Sequence, residues 1–424
     1  MKPLLTQALE LLLGPDVVSI RAKEDLAGLD RAGLPPIVSL SPSHELSKVL
    51  RHKGYTHFRR FVSLPSRDAV RWLLPIGNAG GTVEGTQIYV PHRWLPRAAK
   101  ELFIAAIKMG WNGALLPQVV IASTEPLRLE TLVSSVTGVN APLFALSFGR
   151  RPAVRKLTVQ AMHPEGGVLG YMKLPLTECA MERVCHEASV LERLWGYPAL
   201  HPHIPRLLYA GAWNGSYMLF QSPLSGEIGP VNITAAHTEF LETLWNANPV
   251  ARSGQSLVEE VGRKWDNRMA SLGSAWDDLG QEVLRRAALG LNGETVRCGI
   301  SHGDFAPWNT RVQQGALLLF DWESAQWEAP VLWDLFHFSL QAAVSLAKKN
   351  RSRFPDDRTA KSSYLLYLLS SLMQFAEEDN WAGVDHRKKI LLDALQETAC
   401  VQTEERNLMT HTVRSILSAN THKH

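Results

Sequence analysis

Cysteine is scarce: the 424-residue chain has four, Cys179, Cys185, Cys298 and Cys400. They form no CxxC pair and lie too far apart for a zinc ligand set or a disulfide framework, so a reducing cytoplasm is the expected compartment. An excess of one charge is missing as well. The chain has 44 Lys and Arg against 41 Asp and Glu, a formal net charge of +3, which is too close to balance for a protein built to bind nucleic acid. Long apolar runs are absent. The longest, Tyr364 to Ala376, is too short to cross a bilayer and contains Ser and Gln, so it reads as a buried core helix. In the N-terminal segment, Gln7 and Glu10 interrupt the leucines and no small-residue cleavage site follows. It reads as a short amphipathic helix stopped by Gly14 and Pro15, and no repeat or low-complexity tract appears anywhere.

What is present is an ordinary folding composition, 45% hydrophobic and 20% charged, with length for two or three domains. Three regions separate by pattern. Residues 1–134 are mixed, with a strand-like run from Thr86 to Trp94 and helical spacing from Arg97 to Lys108. They form an accessory α/β region of unassigned role. Residues 1–130 carry 16 Lys and Arg against 11 Asp and Glu, concentrated between Lys48 and Arg71, where Tyr55, Phe58 and Phe61 interleave. That stretch reads as a solvated basic face, with peripheral contact to an anionic surface as the alternative.

Residues 135–231 read as a small antiparallel sheet interrupted by one helix. Strand-like runs LFALSF, RKLTVQAM and VLGYMKL come first, the last two joined by the turn residues HPEGG. A helix follows from Leu176 to Trp195, its apolar stripe on Val184, Ala188, Leu191 and Trp195. Two more strands flank Asn214-Gly215, a type I′ hairpin signal. Residues 232–424 are helical almost throughout, except between Gly299 and Ser324.

That exception carries the chemistry. It holds His302-Gly303-Asp304, then Asn309 five residues beyond the Asp, then Asp321 at the end of an apolar strand. A loop with one carboxylate and one amide, followed by a hairpin that returns a second carboxylate, places a base and two oxygen ligands for a cation within a few ångströms. Phosphoryl transfer needs that set: the triphosphate charge must be neutralised by Mg²⁺ while a hydroxyl is aimed in line.

HGDFAPWN and DWE resemble the catalytic loop and metal-binding segment of the aminoglycoside phosphotransferase and choline kinase-like family, within the protein-kinase-like superfamily. The resemblance covers about the last two-thirds of the chain and implies a bilobal α+β fold, with a small antiparallel sheet lobe and a larger helical lobe. It implies that Asp304 is the catalytic base and that Asn309 and Asp321 hold Mg²⁺. His302 stands beside them as a support of the loop, and Asp334 matches a family Asp that buttresses it. Upstream, the resemblance implies that Lys173 holds nucleotide phosphates and that a Glu on the following helix holds the Lys. Glu187 is favoured over Glu182 because it lies at the edge of the apolar stripe. Gly149 falls where a phosphate-covering loop is expected, but the sequence GRRPAVRK has no G-x-G-x-x-G and offers Arg150 and Arg151 instead. Gln221 to Ser225 falls at the hinge that would meet the base, whose backbone contacts leave ATP and GTP equally open.

Only ten residues, SAQWEAPVLW, separate DWE from Asp334, which leaves no room for the long peptide-binding segment of protein kinases. A small hydroxylated acceptor follows. Sugars or glycan intermediates fit Trp308, Trp322 and Trp327 near the motif, since indole faces stack on pyranose rings. Aminoglycosides would instead use carboxylates such as Glu377, Glu378 and Asp379, or Asp277 and Asp278. The rival from another class is a pseudokinase or nucleotide-responsive binding module whose N-terminal region carries the function. Its mark would be loss of Lys173, Asp304, Asn309 or Asp321, and all four are present.

Overall fold

The computed structural model describes residues 4–20, 34–40, 42–66, 69–89, 91, 94–111, 113, 116–269, 273–345, 355 and 357–397. It divides into two compact units: residues 1–189 with 205–223, and residues 190–204 with 224–424.

The first unit opens with helix α1 (Leu4–Leu13), whose Leu5, Ala8, Leu9 and Leu12 are buried, and Gly14 follows in a left-handed conformation (φ 112°). Then come β1 (Val18–Ile20), β2 (Ile37–Ser39), α2 (His44–His52), β3 (His57–Leu64), β4 (Trp72–Ile76), α3 (Ala79–Gly85), α4 (Trp94–Lys108), β5 (Gln118–Ser123) and α5 (Arg128–Thr137). After them stand β6 (Leu143–Phe148), β7 (Lys156–Met162), β8 (Val168–Pro175), α6 (Glu178–Leu194), β9 (Leu207–Trp213) and β10 (Ser216–Gln221). All ten strands lie in one sheet, in the order β1-β2-β5-β3-β4-β6-β7-β8-β10-β9, antiparallel except for the β1–β2 pair. The N-terminal strands join the later ones where Trp72 and Leu73 of β4 pair with Ser147 and Leu146 of β6. One apolar cluster accordingly runs from Leu9 and Val38 through Phe144 and Val159 to Met172 and Phe220.

Local chemistry explains the turns. Asn214 (φ 44°) and Gly215 (φ 77°) are both left-handed, as a type I′ turn requires, and Trp213 pairs with Ser216 across it. Gly170 (φ 158°) has no room for a side chain, because a Cβ there would sit 2.4 Å from the Gln221 carbonyl oxygen. Among the described residues of the strand expected from Thr86 to Trp94, Thr86–Ile88 is a short 3₁₀ turn and the helix already begins at Trp94. Pro91 lacks an N–H and so has no hydrogen to give to a ladder there.

The basic stretch is partly consumed by this unit. Arg59 forms a two-pronged ion pair with Glu130 and donates to Ser123 Oγ (2.9 Å), while Arg51 lies 5.2 Å over the Phe58 ring. Tyr55 and Phe61 are core residues, and Arg67 and Asp68 lie outside the described residues.

The second unit contains β11 (Glu227–Ile228), α7 (Ala235–Ala247), β12 (Val250–Ser253), α8 (Gly254–Met269), α9 (Ser274–Leu291) and β13 (Thr295–Ser301). It continues with β14 (Thr310–Gln313), β15 (Ala316–Leu319), β16 (Gln326–Pro330), α10 (Trp333–Ser345), α11 (Arg358–Glu377) and α12 (Trp381–Glu397). Its strands form two three-stranded sheets, β11-β14-β15 and β12-β13-β16. Helix α11 is the apolar run identified in the sequence, buried from Tyr364 through Leu369 and again at Leu372 and Met373. No helix among the described residues is long and apolar enough to cross a membrane. The fold is α+β, a large antiparallel sheet accompanied by many helices.

Candidate active site

In the first unit, β8 presents Lys173 and α6 presents Glu187. Lys173 Nζ donates to both carboxylate oxygens of Glu187, at 2.5 and 2.6 Å, and neither residue has more than a trace of exposure. Glu178, Glu182 and Glu192 are exposed on the same helix. An ion pair sealed this far from water recovers little net stability, because desolvating both charges offsets their attraction. Keeping one in a sheet therefore points to a positional task. Gly149 lies in the β6–β7 connection with its N–H bonded to the Lys156 carbonyl (2.9 Å), and Arg150 and Arg151 are exposed beside it.

In the second unit the loop from His302 to Asn309 hangs between β13 and the β14–β15 hairpin. Gly303 (φ 76°) starts the turn, and a Cβ there would meet the Ser324 carbonyl oxygen at 2.1 Å, so only glycine fits. Asp334, buried in the first turn of α10, ties the loop down. It accepts from Ser301 Oγ (3.0 Å), His302 N–H (2.9 Å) and Gly303 N–H (3.0 Å). His302 is fully buried, and its two ring nitrogens bridge its own loop and the far end of the hairpin. Asp304 N–H donates to Nδ1 (3.2 Å), which leaves the proton on Nε2 to be donated to the Phe320 carbonyl (3.1 Å). Burial lowers its pKa and keeps the ring uncharged, against the pull of Asp334, Asp304 and Asp321.

Asn309 donates through Nδ2 to the Asp304 backbone oxygen and to Asp304 Oδ2, both at 2.9 Å. Its amide carbonyl oxygen is the atom suited to a cation. Strand register brings Asn309 and Asp321 together. Thr310 pairs with Leu319, so Asn309 precedes one strand and Asp321 follows its partner, with Phe320 N–H bonded to the Asn309 carbonyl (3.2 Å). Asp321 holds a left-handed φ of 72°, an uncommon conformation for a residue with a side chain and one concentrated at functional sites. An amide oxygen and a carboxylate are hard oxygen donors and fit Mg²⁺.

Two residues escaped the sequence reading. His337 Nε2 lies 2.9 Å from Asp304 Oδ1, and Tyr367 Oη lies 3.1 Å from His337 Nδ1. The available signal was spacing: His337 is three residues beyond Asp334 on α10 and therefore shares its face. Several of the aromatic and acidic candidates for the acceptor have partners within the protein. Trp322 is buried and donates to the Leu319 carbonyl (3.1 Å), and Arg193 lies 3.7 Å over the Trp327 ring. Glu377 pairs with Arg268, Glu378 is buried, and Asp379 accepts from Trp381 Nε1 (2.7 Å).

No protein-family model and no curated protein matches the chain. Among solved structures, a thermostable mutant of the aminoglycoside phosphotransferase APH(4)-Ia in its apo form aligns at 14% identity with a TM-score of 0.44, over 64% of this chain and 100% of that one. A variant of that mutant with one further substitution, in ternary complex with ADP and hygromycin B, aligns at 15% identity with a TM-score of 0.46, over 64% and 99%. The streptomycin-ATP-APH(2")-IIa ternary complex aligns at 12% identity with a TM-score of 0.40, over 64% and 99%.

Proposed function

We propose that the protein is an Mg²⁺-dependent phosphotransferase that moves the γ-phosphoryl group of a nucleoside triphosphate to a hydroxyl of a small molecule. The observation that carries this reading is the state of Asp304. Asn309 holds one carboxylate oxygen and His337 the other, yet the side chain keeps 32% of its surface exposed. A carboxylate that is oriented and still open on one side suits the task of aligning an acceptor hydroxyl and taking its proton as the bond to phosphorus forms. In this reading Asn309 and Asp321 hold Mg²⁺, which neutralises the phosphates. Lys173, positioned by Glu187, holds phosphate oxygens, and His302 and Asp334 keep the loop in shape.

The acceptor reading rests on β16. Cys298 and Gly299 of β13 pair directly with Pro330 and Ala329, and α10 begins at Trp333. The chain from Asp321 to α10 is thus bound into a sheet within a few residues, which favours a small acceptor over a polypeptide. Sugars, glycan intermediates and aminoglycosides belong to that class; ATP and GTP are the candidate donors.

The test is a metabolite screen for nucleotide-dependent gain of one phosphate, run with wild type and with Asp304→Asn. The variant is nearly isosteric, so its Mg²⁺-nucleotide dissociation constant should stay near wild type while kcat falls by about 10²–10⁴-fold. Equal turnover in the two proteins would remove Asp304 from the reaction and support the binding-module alternative.

A further inference from the structure

Behind Asp304 lies a chain of buried polar side chains with its direction set at the two ends, by a guanidinium that can only donate and a carboxylate that can only accept. Arg387, on α12 and 2% exposed, donates through Nη2 to Tyr367 Oη (3.3 Å) and through Nε to Ser371 Oγ (2.9 Å). A guanidinium can only donate, so the phenolic oxygen must accept from it. Burial raises the Tyr367 pKa, so the phenol keeps its proton, and that proton points to His337 Nδ1 (3.1 Å). An imidazole that accepts at Nδ1 carries its hydrogen on Nε2, which gives it to Asp304 Oδ1 at 2.9 Å; Gln341 Nε2, 3.2 Å away, is itself a donor and takes no hydrogen from it. The order of donation is therefore Arg387 to Tyr367 to His337 to Asp304.

We infer that His337 is a positioning residue for Asp304, locked into its Nε2–H tautomer by Tyr367 and Arg387. The inference rests on the phosphotransferase reading and adds a specific device to it. The terminal torsion of an aspartate is broad and roughly two-fold, so its side-chain bond does not fix the carboxylate plane. Two donors on different oxygens do. Asn309 supplies one, and it is the residue assigned to the metal, so His337 is the donor left free to answer to Asp304 alone. Orientation of a reacting group is worth much of a barrier, and misplacement by about 1 Å can cost roughly 10²-fold. His337, Tyr367 and Arg387 are at most 5% exposed, so solvent competes little for the three bonds.

The test uses the full chain and needs no identified acceptor. Turnover is followed as ADP release from Mg–ATP with water as the phosphoryl acceptor, nucleotide affinity by calorimetry with a non-hydrolysable ATP analogue, and the His337 tautomer by ¹H–¹⁵N correlation of its ring nitrogens. His337→Ala should lose about 10–10²-fold in turnover with nucleotide affinity within about twofold of wild type. His337→Gln, whose amide can donate from nearly the same place, should recover most of the loss, which a purely packing role would not produce. Tyr367→Phe removes the lock while leaving the ring, so turnover should fall by less and both tautomers should appear. Wild-type turnover in His337→Ala, or a single Nε2–H tautomer in Tyr367→Phe, would overturn the inference. Asp304→Asn, run beside them, separates the two levels: if it turns over like wild type, the phosphotransferase reading fails, whereas if it alone is inactive, only the role of His337 fails. Where water proves too poor an acceptor for measurable turnover, the ring spectra of wild type and Tyr367→Phe still decide the order of donation.

Discussion

Lys173–Glu187 and Asp304–His337 are both pairs of polar side chains, and they differ in which partner meets solvent. In the first pair the side chains are 7% and 0% exposed; in the second, His337 is 5% exposed and Asp304 32%. The sheet unit has buried a complete ion pair, a cation fixed in place by a carboxylate. The helical unit has buried only the support and left the carboxylate partly open. This difference matches the roles proposed for the two pairs: a group that binds fixed charge is best rigid and dry, whereas one that exchanges a proton needs an open side.

The sharpest way to break the comparison is at the proposed metal ligand Asp321. Asp321→Asn removes a charged oxygen donor from the open end of the β14–β15 hairpin without changing its size. Turnover should fall by about 10²-fold or more, and the Mg²⁺ concentration needed for half-maximal nucleotide binding should rise. Unchanged turnover at the wild-type Mg²⁺ requirement would show that this carboxylate does not hold the cation.

The next effect is on stability. Lys173→Ala or Glu187→Ala strands one buried charge and should cost about 3–5 kcal/mol in urea unfolding. Replacing both together, Lys173→Met with Glu187→Leu, should recover most of that stability while nucleotide binding stays lost. If the double variant still bound nucleotide, the pair would be structural and the contrast with Asp304–His337 would disappear.

Much of this arrangement was legible in the sequence because it is local. Asn214-Gly215 encodes its own turn, Gly14 and Pro15 end the first helix, and the interval between Asn309 and Asp321 is what a short hairpin needs to bring its ends together. What was not legible depends on partners far along the chain. Nothing near Trp72 announces that β4 will pair with β6, so the continuity of the N-terminal strands with the later sheet is visible only in the fold. The run from Thr86 to Trp94 has the β-branched and aromatic texture of a strand, yet Thr86–Ile88 forms a 3₁₀ turn and a helix begins at Trp94. Tyr367 sits in an apolar stretch and reads as core, which it is; its second role comes from His337, thirty residues earlier.

The smallest effect concerns a histidine outside the site and sharpens the contrast between dry and open groups through pH. His237 on α7 is fully buried. Its Nδ1 accepts from Thr234 N–H (3.2 Å), and its ring packs edge-on against Phe338 at 4.8 Å. Burial lowers its pKa from 6.5 to about 4. The unfolded chain takes up a proton at the ordinary imidazole pKa, but the folded site does not until about pH 4. Between those values the unfolded state binds more protons, so stability rises with pH across the window, is fully present above 6.5 and declines as pH falls toward 4. Each such histidine contributes a slope of about 1.4 kcal/mol per pH unit there. His302, lowered for the same reason, adds a slope of the same sign. His237→Asn keeps a side-chain acceptor for Thr234 N–H but cannot titrate. Its unfolding free energy should therefore fall less steeply between pH 6.5 and 4 than that of wild type, leaving the His302 contribution behind. Urea unfolding at half-unit pH steps measures the difference; parallel curves would show that the folded protein protonates His237 as readily as the unfolded chain does, and that this interior site is not dry.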